Sequence, residues 1–141
     1  VEAYDKAAGG SVVNEFYYTE AIKKNVLDFA GLADKLHTDM HEVIGHASGQ
    51  IEPGIGQPHE TLKNYASALE EGRADLVALY YLMDKKLVDL GVMPSLDYGK
   101  ASYDEYITKG LMIQLSRLKL GDNIEEAHMR NRQMVAKWAY E

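Results

Sequence analysis

The chain has 141 residues, 46% hydrophobic and 26% charged, which is the balance of a globular domain large enough to bury a core. Its net charge of −7 argues against nucleic acid as a partner, because binding phosphates requires a basic surface. No apolar run is long enough to span a membrane and no signal-peptide pattern is present. We expect no membrane partner, and separately a cytoplasmic location. Because the chain has no cysteine, a bound metal would need nitrogen and oxygen ligands.

Apolar periodicity and chain breakers predict an all-α fold of four to five packed helices, with residues 1–141 forming a single helical domain. Residues 1–11 look irregular, and residues 12–18 fit either a short strand or the start of a helix. The predicted helices cover residues 19–29, 32–47, 61–90, 102–120 and 124 to near the C-terminus.

Local signals predict where these helices begin and end. Gly31 should end the first helix and Gly91 the third, because glycine favours helix C-termini. Ser102 and Glu105 have the spacing of a capping box that would open the fourth helix. Asn123 should cap the last helix.

The most informative stretch is residues 41–46, H-E-V-I-G-H, in the second predicted helix. Neutral histidine is the commonest metal ligand, and a catalytic zinc takes three protein ligands while leaving a position for water. We therefore predict His41 and His46 as zinc ligands and Glu42 as the general base that accepts a proton from water. The same helix should bury a stripe that includes Leu32, Leu36, Met40 and Val43.

The two histidines are five residues apart, whereas the familiar H-E-x-x-H motif places them four apart. In a regular helix, five residues would turn the rings roughly 140° away from each other. A single widened, π-type turn would bring them together, and Gly45 lies where such a distortion costs least. The spacing thus predicts one extra residue in the helical ladder between His41 and His46.

The third ligand is expected from residues 70–75, E-E-G-R-A-D, within the long third helix. Glu71 and Asp75 are four apart and share one side of that helix. Glu71 can reach a metal there, and Asp75 can accept a hydrogen bond from a ligating imidazole. Gly72 would let another element approach closely.

Other interpretations of these residues remain open. The histidines could be solvated or core residues of an ordinary helix, and the acidic run could be a solvated face. His37 and His41, four apart, could form the metal pair instead, although no glutamate follows His37. Imidazole and carboxylate ligands also accept Co, Ni or Cu.

Three motifs together resemble the dipeptidyl peptidase III family of zinc exopeptidases. They are H-E-x-x-G-H at residues 41–46, E-E-x-R-A-[DE] at residues 70–75 and A-H-M-x-x-R at residues 127–132. The resemblance covers most of residues 39–132. Gly72 stands where the family often has cysteine and Asp75 where it often has glutamate, which leaves the ligand set unchanged.

The resemblance implies a role for each matching residue. His41, His46 and Glu71 would bind one Zn²⁺ per chain, and Glu42 would activate water. Glu70 and Asp75 would contact the ligands on the side away from the metal. His128 would stabilise the transition state, and Arg132 would hold substrate.

The resemblance also implies the activity, which is the release of N-terminal dipeptides from short peptides. Family members are several times longer and have a second lobe across the cleft, so we expect this chain to be a fragment with little activity alone. The alternative is a helical domain that binds zinc or a partner protein without turnover. Glu42 favours the enzyme, since a structural zinc site does not need a carboxylate beside an open position.

Overall fold

The structure, a computed structural model, describes residues 12–141. Seven α-helical segments and no strands occur in this part of the chain, and four of the segments have seven residues or more, which confirms the all-α prediction. They are α1 (residues 12–16), α2 (Glu20–Met40), α3 (Pro58–Thr61), α4 (Ala66–Leu82), α5 (Lys85–Asp89), α6 (Leu96–Ile107) and α7 (Ala127–Tyr140).

Two π-helical turns interrupt the α-helical pattern. The first, π1 (His41–Gly45), continues directly from α2, and the second, π2 (Thr108–Ile113), continues from α6. The prediction for residues 1–11 lies outside the described residues. Of the two possibilities for residues 12–18, the helix is the correct one, because residues 12–16 are helical.

The first two predicted helices are one helix, so the prediction that Gly31 ends the first was wrong. Helix α2 begins after Thr19, whose hydroxyl accepts a hydrogen bond from the Ile22 amide at 3.2 Å, and it continues through Gly31 to Met40. A glycine inside a helix costs only about 1 kcal/mol relative to alanine. Burial of Ala33 and Leu36 in the following turns outweighs that cost.

The predicted apolar stripe on this helix is only half correct. Leu36 is buried and Met40 is half-buried, but Leu32 and Val43 are exposed. Val43 lies inside π1, where the buried residues are His41 and Gly45. The same distortion that brings the histidines together therefore rotates Val43 into solvent.

The long helix predicted for residues 61–90 is divided into α3, a 3₁₀ turn at Lys63–Tyr65, α4 and α5. Asp84 opens α5, because its carboxylate accepts a hydrogen bond from the Lys86 amide at 2.8 Å. Gly91 follows the end of α5 with a φ of 72°, the left-handed conformation that favours glycine, so its predicted role as a stop is confirmed.

Two predicted helix starts were wrong, because in each case a residue other than the predicted one caps the helix. Helix α6 begins after Ser95, whose hydroxyl accepts from the Asp97 amide, so Ser102 and Glu105 lie inside the helix rather than at its start. Both side chains are buried. Helix α7 is capped by Glu126, not by Asn123, since the Glu126 carboxylate accepts from two amides of the first turn.

The helices pack so that α4 lies at the centre of the site-bearing face. Helix α2 packs along α6, and α4 packs against both π1 and α7. Leu36, Leu82 and Met93 form a buried cluster between α2, the end of α4 and the segment before α6. This arrangement places α4 between the widened turn and α7.

Gly45 allows α4 to approach the widened turn. A Cβ atom built on Gly45 would lie 2.9 Å from the Cα, Cβ and carbonyl oxygen of Ala74. Such a distance cannot be relieved by a side-chain rotation, because two of the three atoms belong to the backbone. The close packing of π1 on α4 therefore depends on the absence of a side chain at position 45.

We expect Gly45→Ala to lower the free energy of unfolding by about 1–3 kcal/mol, the usual cost of overpacking. Gly31→Ala is the matched control, because no atom lies within 4 Å of its added Cβ. It should raise stability by about 0.5–1 kcal/mol through helix propensity. Urea unfolding followed by circular dichroism measures both. Equal effects of the two substitutions would contradict the close approach.

Candidate metal centre

The turn that carries the two histidines is widened by one residue. The amide of His46 donates to the carbonyl oxygen of His41, five residues earlier, which is the hydrogen bond of a π-helix. The ring centroids of His41 and His46 lie 4.7 Å apart, with the rings nearly perpendicular at 89°. The predicted extra residue in the ladder is thereby confirmed.

Helix α4 brings a carboxylate to both imidazoles. Oε2 of Glu71 lies 3.2 Å from Nε2 of His41 and 3.9 Å from Nε2 of His46. One ligand atom from each of these three residues lies within 4.8 Å of the other two, so His41, His46 and Glu71 form a group that could hold a metal ion. We call this group the metal triad.

The geometry of the metal triad fits a zinc ion. Tetrahedral zinc with ligands at 2.0–2.1 Å separates neighbouring ligand atoms by roughly 3.3 Å. The Glu71 oxygen has this separation from His41 and a slightly longer one from His46. That oxygen is buried and makes no hydrogen bond of regular geometry in the described chain, although imidazole nitrogens lie close to it. A cation between the three residues would satisfy a group that is costly to leave alone.

A second carboxylate lies behind each imidazole. Nδ1 of His41 lies 2.8 Å from Oδ1 of Asp75, and Nδ1 of His46 lies 2.9 Å from Oε1 of Glu70. A carboxylate accepts hydrogen bonds, so it favours the tautomer with the proton on Nδ1 and the lone pair on Nε2. In that tautomer both Nε2 atoms present a lone pair on the side of Glu71.

Arg73 binds both Glu70 and the end of the widened turn, and this role of Arg73 was not predicted. Its guanidinium donates to Oε2 of Glu70 at 2.9 Å, to the carbonyl oxygen of His46 at 3.2 Å and to the hydroxyl of Ser48 at 3.1 Å. Arg73 lowers the pKa of Glu70, and the hydrogen bond that His46 donates to Glu70 raises the pKa of His46. The spacing of Glu70 and Arg73, three residues apart on a helix, was a signal that could have shown this pair.

His128 reaches the same carboxylate from α7. Its Nε2 lies 3.1 Å from Oε2 of Glu71, and its ring stacks on that of His41 with centroids 6.4 Å apart. Its Nδ1 lies 2.7 Å from Oε1 of Glu126, the residue that caps α7. His128 thus borders the metal triad, and Glu126 is a second residue that the sequence did not reveal in this role.

Glu42 and Arg132 occupy different surroundings. Glu42 lies in π1 with its side chain exposed, and its negative charge adds to the rise in the pKa of His46, after stronger contributions from Glu70 and Glu71. The Arg132 guanidinium lies 5.8 Å from the centre of the Tyr106 ring, beside π2.

Arg132 lines a cavity of about 70 Å³ that also borders His37 and Tyr106. Among the described residues, those that line this cavity include no member of the metal triad. The structure therefore places Arg132 next to the site rather than in contact with the metal triad, and its role in holding substrate stays a prediction.

The alternative metal pair of His37 and His41 does not form in the described structure. Nε2 of His37 lies 3.9 Å from Oδ1 of Asp75, the oxygen that already contacts His41. Burial lowers the pKa of His37, which favours its neutral form. Within residues 12–141 the one metal-competent group is the metal triad.

Comparisons with known proteins add no further assignment. No family model matches the chain. No curated protein matches it either. The described helices include none long and apolar enough to cross a membrane.

We expect purified protein loaded with zinc to hold about one zinc per chain. Glu71→Ala should bind zinc more than about 100-fold more weakly. That loss exceeds the 10–100-fold typical of residues that hydrogen-bond the ligands without touching the metal. Competition with a chromophoric chelator measures the affinity. Glu52→Ala, in an exposed loop, is the matched control. Equal affinities for the two variants would remove Glu71 from the ligand set.

Proposed function

We propose that this chain is the zinc-binding part of a metallopeptidase of the dipeptidyl peptidase III type. One observation carries the proposal: the Nε2 atoms of two histidines converge on one buried oxygen of Glu71. The three ligands leave room for water, as a catalytic site requires. Histidine and carboxylate ligands without cysteine are typical of catalytic rather than structural zinc.

Zinc, when bound, would act as a Lewis acid on a scissile carbonyl and lower the pKa of water. Glu42 is suited to accept the water proton, since it directly follows the ligand His41 and its carboxylate is exposed. The same carboxylate would pass that proton to the leaving amine, as a general base that becomes a general acid. Glu42 is not a member of the metal triad, so its removal should affect turnover far more than zinc binding.

His128 and Arg132 are proposed to act on the substrate. His128 lies beside Glu71, with its ring oriented by Glu126, and with protons on both nitrogens it can donate from Nε2 to a developing oxyanion. Arg132, one turn further along α7, would hold a peptide carbonyl or carboxylate. The position of Arg132 in a neighbouring cavity requires that substrate extend from the metal triad towards π2.

The proposed substrates are short peptides with a free N-terminus, from which the enzyme releases dipeptides. This specificity rests on the resemblance of the three motifs alone. The groups that hold a substrate amine in that family belong to a second lobe. Activity is therefore best assayed on the protein at its natural length.

In the protein at its natural length, we expect Glu42→Gln to bind zinc normally and to lose turnover by about 10²–10⁴-fold, the usual contribution of a general base. The measurement is release of N-terminal dipeptides from unblocked short peptides, with zinc content determined on the same samples.

Glu52→Gln is the control for removing one negative charge from an exposed position near the site in sequence. It should retain activity. Full activity of Glu42→Gln would exclude Glu42 as the base. A zinc-loaded wild type that cleaves no peptide would instead favour a zinc-binding domain without turnover.

A further inference from the structure

Asn131 is a polar residue with no exposed surface at the contact between α7 and α4. Its amide nitrogen donates to Oδ2 of Asp75 at 3.2 Å. Its amide oxygen accepts from the hydroxyl of Tyr106 at 3.1 Å. A buried amide costs free energy unless both of its ends are paired, and here both ends are.

The partners determine which way the amide faces. A carboxylate oxygen only accepts, so the NH₂ group of Asn131 must face Asp75, and its oxygen must then face Tyr106. Burial raises the pKa of Tyr106, and the neighbouring Asp75 carboxylate raises it further. The phenol therefore keeps its proton and remains a donor, to the amide oxygen of Asn131 and to the Asp75 carboxylate beside it.

The carboxylate of Asp75 is held at both oxygens. Oδ1 lies 2.8 Å from Nδ1 of His41, and Oδ2 accepts from Asn131. A carboxylate fixed at two points cannot rotate away from the imidazole. Tyr106, Asn131, Asp75 and His41 thus form one continuous chain of polar contacts that ends at a ligand of the metal triad.

Asn131 also anchors the helix that carries His128. The two residues are three positions apart on α7, within one helical turn. A Cβ added to Gly72 of α4 would lie 3.5 Å from the Cβ of Asn131, so the two helices are close at this point. The amide therefore links the position of α7 to the carboxylate that orients His41.

We propose that Asn131 is a positioning residue that fixes Asp75 and, through it, the ring orientation and tautomer of His41. The inference deepens the proposed function, because a fixed His41 is prepared for a metal. The contacts of Asn131 with Asp75 and of Asp75 with His41 do not involve a metal, so their effect can be tested without zinc.

The test uses ¹⁵N-labelled, metal-free protein and long-range ¹H–¹⁵N spectra of the histidine rings. At a pH well above the ordinary histidine pKa, where an imidazole carries one proton, wild type should show the His41 proton on Nδ1, because Asp75 lies closer to Nδ1 than Glu71 lies to Nε2. Asn131→Ala should shift His41 towards a mixture of tautomers, while Gln133→Ala, an exposed neighbour on α7, should not. Tyr106→Phe keeps the size of the ring and removes only the hydroxyl. It should give an intermediate shift even if Asn131→Ala fails to fold.

Zinc affinity is the second readout. Asn131→Ala should bind zinc about tenfold more weakly, the lower end of what residues behind the ligands contribute. In an Asp75→Asn background the same substitution should add little, because its effect passes through Asp75.

An unchanged His41 tautomer in folded Asn131→Ala or, if that variant does not fold, in Tyr106→Phe would overturn the inference. Failure of wild type to bind zinc would overturn the proposed function and leave the tautomer result to decide the role of Asn131.

Discussion

The structure depends on the widened turn at π1, which makes two imidazoles five residues apart converge on one carboxylate. Without it, His41 and His46 would point in different directions from a regular helix. The extra residue has a cost, since π-helical hydrogen bonding is rare outside functional sites. Close packing of α4 against Gly45 supports the distorted turn and at the same time delivers Glu71 to the two rings.

Helix α4 supplies carboxylates to both ring nitrogens of each imidazole. Glu71 faces both Nε2 atoms, whereas Glu70 and Asp75 face the opposite nitrogens of the two rings. Because adjacent residues on a helix point about 100° apart, Glu70 and Glu71 can serve two sides of one imidazole pair. Arg73 balances part of the resulting negative charge and connects it to the backbone at His46.

The site was predictable from sequence to the extent that spacing alone determines geometry. Five residues between the histidines required a widened turn, and four residues between Glu71 and Asp75 placed both on one side of a helix. These are local constraints that hold whatever the rest of the chain does. The candidate ligands and the contact of Asp75 with an imidazole followed from them, whereas the part given to Glu70 came only from the resemblance of the motifs.

The helix ends were less predictable, because tertiary contacts decide between local signals of similar strength. Ser95 and Ser102 are both plausible caps, and the burial of Ser102 in the packed helix decides in favour of Ser95. Asn131 had no local signal at all. Its importance comes from a contact with Asp75, 56 positions earlier in the chain, which only the packing of α7 on α4 creates.

X-ray absorption at the zinc edge of the loaded protein tests most directly whether His41, His46 and Glu71 bind the same ion. If they do, the spectrum will show nitrogen and oxygen neighbours at about 2.0–2.1 Å, together with the outer-shell scattering of two imidazole rings. A spectrum with oxygen neighbours alone, or with a single imidazole, would contradict it.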